Sequence, residues 1–477
     1  MLRKCFALPL LTAVAMAQPM VVKTTTLIDG KGRVLRNQEI TIEGGRIMRI
    51  ADAKQKPTID LSGLTVMPGW IDTHVHLGWY FNKEGRYDPG GPDSKTTPQQ
   101  DALYSATNAY ATLMGGFTTV QCLGQPIEGE IRGLVEAGAL PGPRVLTSLR
   151  AVTETTGTPG EIRAYVDKMK TDGADVIKLF ATASIRDGGK MTMTVDQINA
   201  TCGEARKLGL RGVVHAHSSD AARAAIEAGC TSIEHGTFLD DATLQLIASR
   251  GAFFDPNFLV LHNYLDNKPK FLGIGNYTEE GFAYMEKALP LVADVLKRAR
   301  KQHVKVVLGT DAVAGSHGRN AEEFVYRVKD GGDKPMDVLM SGTSVAAESL
   351  GMSDKIGVGQ DRCAGGGHGG RPGGHRAKST RRHHSRPPRG LRDEARQDLQ
   401  EYAVTPAVDE MAASTLTSKG QVTIPQEIRE ALAASQGSAA RLPRGHAGPV
   451  DCRATHAGRA EVEGVGSLFA EAAAVAC

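Results

Sequence analysis

Apolar positions in residues 21–59 come in short runs separated by turn residues. Residues 24–28, 39–42 and 47–50 read as strands, punctuated by Asp29-Gly30 and Gly44-Gly45. They predict a small β unit, the opening part of a β-sandwich, over residues 18–63. From residue 64 strand-like runs alternate with helical periodicity. The expected strands are 66–76, 117–123, 144–149, 175–180, 212–215, 232–235, 252–255 and 305–309. Between and after them the spacing predicts helices over 99–114, 130–139, 159–171, 195–208, 219–228, 242–249, 279–301, 321–328 and 336–350. That alternation predicts an α/β fold, a closed (β/α)8 TIM barrel over residues 64–359. An open doubly wound sheet is the alternative, but no Gly-rich phosphate loop follows the first strand.

The two ends have a different texture. Arg3 and Lys4, an apolar run to Ala17 and the exit Ala15-Met16-Ala17 read as a signal peptide over residues 1–17. The chain is therefore expected to be exported, periplasmic or secreted. The run is too short for a membrane span and no other candidate exists. Residues 361–390 contain no Val, Ile, Leu, Met, Phe, Tyr or Trp, and such a segment cannot bury a core. Residues 361–400 carry ten Arg or Lys against four Asp or Glu, so residues 360–410 read as a basic Gly/Arg-rich piece of an irregular tail.

With 477 residues, 41% hydrophobic, the chain has material for one large domain plus small additions. Its net charge of +3 selects no class of partner. Seven cysteines form no C-x-x-C pair. Cys122, Cys202 and Cys230 fall in predicted elements and read as packed free thiols rather than a disulfide framework.

Barrel enzymes carry their chemistry at the C-terminal ends of the strands. The first strand ends in His74-Val75-His76, which places two imidazoles on one face for a divalent metal. The other predicted strand ends hold Lys178 in V-I-K-L-F, His215 in V-V-H-A-H, His235 in I-E-H-G and Asp311 in L-G-T-D-A. Singly, each has a bland structural explanation. Together, six metal-competent or metal-adjacent side chains at strand ends point to a metal site.

P-G-W-I-D-T-H-V-H, G-A-D-V-I-K-L-F, V-V-H-A-H, I-E-H-G and L-G-T-D-A occur in an order that resembles the metal-dependent amidohydrolase superfamily. The likeness is to its branch with imidazolonepropionase-like proteins and exported dipeptidases, including ochratoxin-hydrolysing enzymes. It implies two divalent metals, with zinc the expected ion. His74, His76 and Asp311 would hold one and His215 and His235 the other, with Lys178 bridging them as a CO2-derived carbamate. Asp311 would also move protons; His217 and His317 would contact substrate or a metal-bound oxygen. Tyr264 and Arg186 fall on predicted loops with no motif to promote them. The implied reaction is hydrolysis of an amide C–N bond in a small-molecule dipeptide or N-acyl amino acid. A single-metal deaminase or cyclic amide hydrolase is the alternative; it needs no Lys178.

Residues 414–432 resemble half of an AbrB/MazE-type swapped-hairpin domain, with Lys419 and Arg429 as its basic residues. Nucleic-acid binding is not expected, because the remaining strands are absent and export would separate the chain from DNA. The resemblance also implies sandwich strands after the barrel, with an A-D-x-V run. Residues 366–373 read one nucleotide later permit Ala-Asp-Met-Val-Ala-Val. A frameshift near Gln360, with read-through into an antitoxin-like segment over 411–477, is therefore expected, which leaves the sandwich half-built and makes a catalytically impaired chain the alternative. Homo-oligomerisation is open.

Overall fold

The computed structural model describes residues 19–91 and 94–358. The signal-peptide, basic-segment and AbrB-like expectations lie outside these residues.

The first sheet contains β1 (Met20–Ile28), β2 (Val34–Glu43), β3 (Arg46–Asp52) and β4 (Ile59–Val66), in the order β3-β2-β1-β4. Its hairpin turns follow from the sequence. Asp29 accepts hydrogen bonds from the amides of Lys31 and Arg33, and Gly44 and Gly45 both take positive φ in the tight β2–β3 turn. Val22, Leu27, Ile40, Ile50 and Val66 share one small core. The strand expected over 66–76 begins later, at Trp70, and only Val66 of that range belongs to β4. β4 completes this sheet, and Met67-Pro68-Gly69 passes the chain to β5 (Trp70–Val75) in another. Pro68 lacks a ladder donor, and a side chain at Gly69 would strike Thr118.

Beyond β5 come β6 (Tyr80–Phe81), β7 (Tyr87–Asp88), α1 (Pro98–Met114), β8 (Phe117–Cys122), α2 (Ile127–Glu136), β9 (Arg144–Thr147) and β10 (Ala151–Val152). Next are α3 (Pro159–Thr171), β11 (Val176–Phe180), α4 (Val195–Lys207), β12 (Arg211–Ser218), α5 (Ser219–Ala228), β13 (Ser232–Phe238), α6 (Asp241–Ser249) and β14 (Phe253–Asp255). The series ends with α7 (Phe258–Asp266), α8 (Lys268–Phe271), α9 (Glu279–Lys301), β15 (Lys305–Val306), α10 (Glu322–Lys329), α11 (Pro335–Ser341) and α12 (Ser344–Ser349). Strands β5-β8-β9 form one parallel sheet and β10 through β15 a second, with helices alternating along both. Backbone hydrogen bonds join the sheets at two seams. The Asp175 amide donates to Thr147 O at 2.9 Å; at the other seam the Thr73 and His76 amides donate to Leu308 O and Ala312 O at 2.9 and 2.8 Å. Three helices start on the same device, a threonine capping box, at Thr97/Gln100, Thr158/Glu161 and Thr194/Gln197.

One expectation about the cysteines is corrected. Cys202 on α4 and Cys230, just before β13, form a disulfide with Cα atoms 5.1 Å apart; Cys122 is free and buried. α4 and the entry to β13 flank β12, and Gly212 on that strand leaves room against the Cys230 sulfur.

Glu128 is buried in the first turn of α2, its Oε2 accepting from the amides of Gly124 and Gln125 and from Thr147 Oγ1. Its Oε1 meets no hydrogen-bond partner among the described residues. Burial outweighs those donors and pushes the carboxyl up to about 8. A carboxyl raised in the folded state stabilises fully below its unfolded pKa and loses that contribution as pH rises through the folded value. Unfolding free energy should therefore fall between pH 5 and 8, by up to about 1.4 kcal/mol per pH unit from this group. Glu128→Gln should flatten the slope in denaturant titrations run at several pH values. An unchanged slope would place Glu128 ionised in the core.

Candidate metal centre

The site lies where the parallel strands end, and a few buried carboxylates fix those ends. Asp72 in β5 accepts from the His74 amide, the Thr310 amide, the Thr310 hydroxyl and Asn320 Nδ2 at 2.6–3.1 Å. It thus ties the strand bearing His74 to the segment bearing Asp311. Asp255 at the end of β14 accepts from the Gly309 amide and the Thr73 hydroxyl. A Cβ at Gly309 would sit 1.8 Å from that carboxylate and 2.9 Å from His74 Cβ, so only glycine fits. Asn257 accepts from the His235 amide and donates to Gly309 O.

His235 and Asp311 have φ of +67° and +50°. Left-handed backbone at a histidine or aspartate is costly and persists where surroundings enforce it. Here it turns both side chains off the strand direction. The His235 conformation also explains why its neighbour Glu234 reaches inward as well.

Three donor atoms converge. His74 Nε2 and His76 Nε2 are 3.3 Å apart, and Asp311 Oδ1 lies 3.3 and 3.1 Å from them. His74 Nδ1 meets Glu234 Oε2 at 2.9 Å, and Glu234 Oε1 accepts from the Ser232 hydroxyl. This assigns the proton to Nδ1, leaving a lone pair on Nε2. Tetrahedral zinc with ligand bonds of about 2.0–2.1 Å has ligand-to-ligand edges of about 3.3 Å. The triangle has that size, and His74 Nε2 and the Asp311 carboxylate both present lone pairs to it. These residues fit a divalent metal.

Lys178 on β11 is fully buried with Nζ 3.4 Å from His74 Nε2. The rings of His215 and His235 approach to 4.6 Å and those of His235 and His74 to 5.6 Å, so all six predicted residues border one site. His215 Nε2 lies 3.3 Å from Ala183 O. His217 joins the cluster 5.0 Å from the His235 ring, with Nδ1 2.9 Å from the Thr237 hydroxyl. His317 is packed beneath the rim, its Nε2 3.1 Å from His76 O.

Burial sets the charge state. It holds His74, His215 and His235 far below the usual imidazole range, with neighbouring positive groups adding to it. His217 is pushed down to about 3 by burial, Arg186 and Lys178, and His317 to about 4 by burial. Lys178 is lowered by burial against the pull of Glu234, Asp311 and Asp255. Burial would raise Asp311, but His74 and His76 outweigh it and keep the carboxylate ionised.

Several neighbours escaped the sequence reading. Asp72, Glu234, Asp255 and Asn257 support the ligand residues but resemble ordinary strand-end residues in isolation. The only signal was adjacency, as in I-E-H-G. Arg186 and Tyr264 were expected on loops. Arg186 lies in the 3-10 turn Ile185–Asp187, whereas Tyr264 is a buried residue of α7.

The model of the amidohydrolase family matches residues 65–360. An ochratoxinase of Aspergillus niger is 24% identical over 381 residues, spanning 70% of this chain and 77% of that protein. Among solved structures, an Xaa-Pro dipeptidase with methionine bound in its active site is 29% identical, with a TM-score of 0.64 over 72% of this chain and 92% of its own. A prolidase complexed with N-methylphosphonate-L-proline is 25% identical, with a TM-score of 0.64 over 72% of this chain and 90% of its own.

Proposed function

This chain belongs to the amidohydrolase family and is a hydrolase of carbon–nitrogen bonds, and on that premise we propose that it cleaves the amide of dipeptides or N-acyl amino acids. The observation that carries the reading is the His74, His76 and Asp311 triangle with buried Lys178 against it. The resemblance to an Xaa-Pro dipeptidase and a prolidase supports the substrate class. The two hydrogen-bonded seams support a closed (β/α)8 barrel, with this site at its C-terminal mouth.

In this reading His74, His76 and Asp311 hold one divalent ion, zinc by ligand type, and His215 and His235 hold a second. Lys178, as a carbamate, would complete the holding of both ions. Burial lowers the Lys178 pKa and so favours its neutral amine, which would add to CO2, releasing one proton and leaving an anion that two cations would favour. Bound metals supply an activated water near neutral pH and polarise the scissile carbonyl. Asp311, as a carboxylate, accepts the water's proton and delivers it to the departing nitrogen. His217, neutral and with Nδ1 engaged by Thr237, would offer Nε2 beside the reacting carbonyl, whereas both nitrogens of His317 face Thr112 and His76 O, so its part is to hold the His76 strand end. Buried Lys178 favours this reading over single-metal deamination, which has no use for it.

The test is a panel of dipeptides and N-acyl amino acids, run with metal analysis of the same sample. Chelation should lower kcat/KM by roughly 10²-fold or more and zinc should restore it. Full activity in metal-free protein, or no amide cleaved by the metal-loaded one, ends the reading. Export is a further proposal, supported by the Cys202–Cys230 disulfide, which suits an oxidising compartment. Mass spectrometry of the exported protein should find Gln18 as its first residue, and intact Met1 would refute removal of the leader.

A further inference from the structure

Arg186 is a cationic side chain beside the centre to which the reaction above gives no role. Its guanidinium stacks on Tyr277 at 4.1 Å and lies 5.3 Å from the Tyr264 ring centre. Nε donates to Asn276 Oδ1 at 2.9 Å, and the group forms no ion pair among the described residues. Asp187, its sequence neighbour, turns away to accept from Asn276 Nδ2. Contrast Arg327, fully buried, which salt-bridges Asp333 and donates to Val307 O. A half-buried guanidinium with no carboxylate partner among the described residues is placed to take an anion.

Its surroundings fit a carboxylate. The Tyr264 hydroxyl approaches the guanidinium, and those of Tyr264 and Tyr87 approach Tyr277. Burial keeps all three phenols protonated, hence able to donate. Two contacts place this box on the wall of the metal centre. An aromatic series leads from His76 to Trp79 (4.1 Å), Tyr87 (6.0 Å) and Tyr277 (5.5 Å), which carries Arg186. In the same turn as Arg186, Gly189 packs so closely on His217 that a Cβ would meet it at 2.7 Å.

We propose that Arg186, with the hydroxyls of Tyr264 and Tyr277, binds the α-carboxylate of the amino acid released by hydrolysis. The inference rests on the amide-hydrolase reading and deepens it: the substrate must end in a free carboxylate one residue after the scissile bond. The guanidinium's N–H pair offers the bidentate match, and the tyrosine faces hold the fork in plane. Specificity follows, because a neutral group there would leave a desolvated cation unpaired.

The experiment compares N-acetyl-L-methionine with N-acetyl-L-methioninamide on the full metal-loaded chain, alongside Arg186→Met, Arg186→Lys and Tyr277→Phe. The wild type should favour the acid by roughly 10²-fold or more in kcat/KM, mainly through KM. Arg186→Met should bring the ratio near one, Arg186→Lys should recover part, and Tyr277→Phe should cost about tenfold in KM for the acid. A wild type indifferent to the carboxylate, or an Arg186→Met protein that keeps the ratio, overturns the subsite. Calorimetry with L-methionine against L-methioninamide separates it from the reaction. If no amide is cleaved but wild type binds the acid and Arg186→Met does not, the subsite stands and the amide-hydrolase reading falls. Absence of carboxylate-dependent binding, with or without hydrolysis, removes the subsite; should Arg186→Met fail to fold, the wild-type and Tyr277→Phe results decide.

Discussion

Lys178→Ala is expected to lower kcat/KM by about 10³-fold or more, a loss of at least ~4 kcal/mol in transition-state stabilisation. The reason is placement. Lys178 is fully buried at the middle of β11, its nitrogen 3.4 Å from His74 Nε2 and among the other predicted ligands. An ammonium there would oppose any cation held by the histidines, whereas a carbamate would join two. Alanine removes the bridge and leaves a space the size of a short carboxylate. Acetate or propionate should therefore restore part of the rate, in proportion to concentration and with the second metal rebinding. The alternative is a purely structural lysine, paired through the bottom of the site with Glu234 and Asp255. In that case alanine would alter unfolding and leave metal content and rescue unaffected. Two metals per chain and full rate in Lys178→Ala would end the bridging role.

The chemistry-bearing strands were legible because a strand ending at a site shows its function in one place. Each of the six ligand candidates stands at or within a few residues of a strand terminus, and their convergence needed only the order of elements. What failed needed three-dimensional information. α7 was missed because F-L-V-L-H-N-Y-L-D is buried on most sides, with six of nine residues inside, so no amphipathic period marks it. The helix expected over 336–350 breaks at Gly342-Thr343 into α11 and α12, where the Thr343 hydroxyl reaches back to Leu339 O and across to Gly30 O. A threonine bonding backbone is invisible to periodicity. The β6–β7 hairpin is too short to show alternation, yet it brings Tyr87 to Tyr277. Likewise Arg186, Tyr264 and Tyr277 come from separate segments, so no spacing could have joined them. The disulfide was misread for the same reason: Cys202 and Cys230 are 28 residues apart and meet only across β12.

Arg327→Met should reduce unfolding free energy by roughly 1–3 kcal/mol. Arg327 on α10 is fully buried and holds three elements at once. Nη1 donates to Val307 O at 2.8 Å and to Ser341 Oγ at 3.3 Å, and Nη2 meets Asp333 at 3.2 Å. Methionine would match much of the volume but supply no donor, so a carbonyl of the strand leading to Asp311 would be left bare. Asp333 would be less exposed to loss, because Arg300 already grips both its oxygens at 2.8 and 2.7 Å and is itself partly in solvent. Most of the damage should therefore lie at Val307 and Ser341 rather than at the ion pair. A double-mutant cycle distinguishes the two sources. If the carbonyl dominates, Arg327→Met/Asp333→Leu should remain nearly as unstable as Arg327→Met alone. If the stranded carboxylate dominates, the second change should recover more than half the loss. A loss below about 1 kcal/mol in denaturant unfolding of the metal-free chain would mean that the carbonyl finds water and that this network does not hold the Asp311 segment in place.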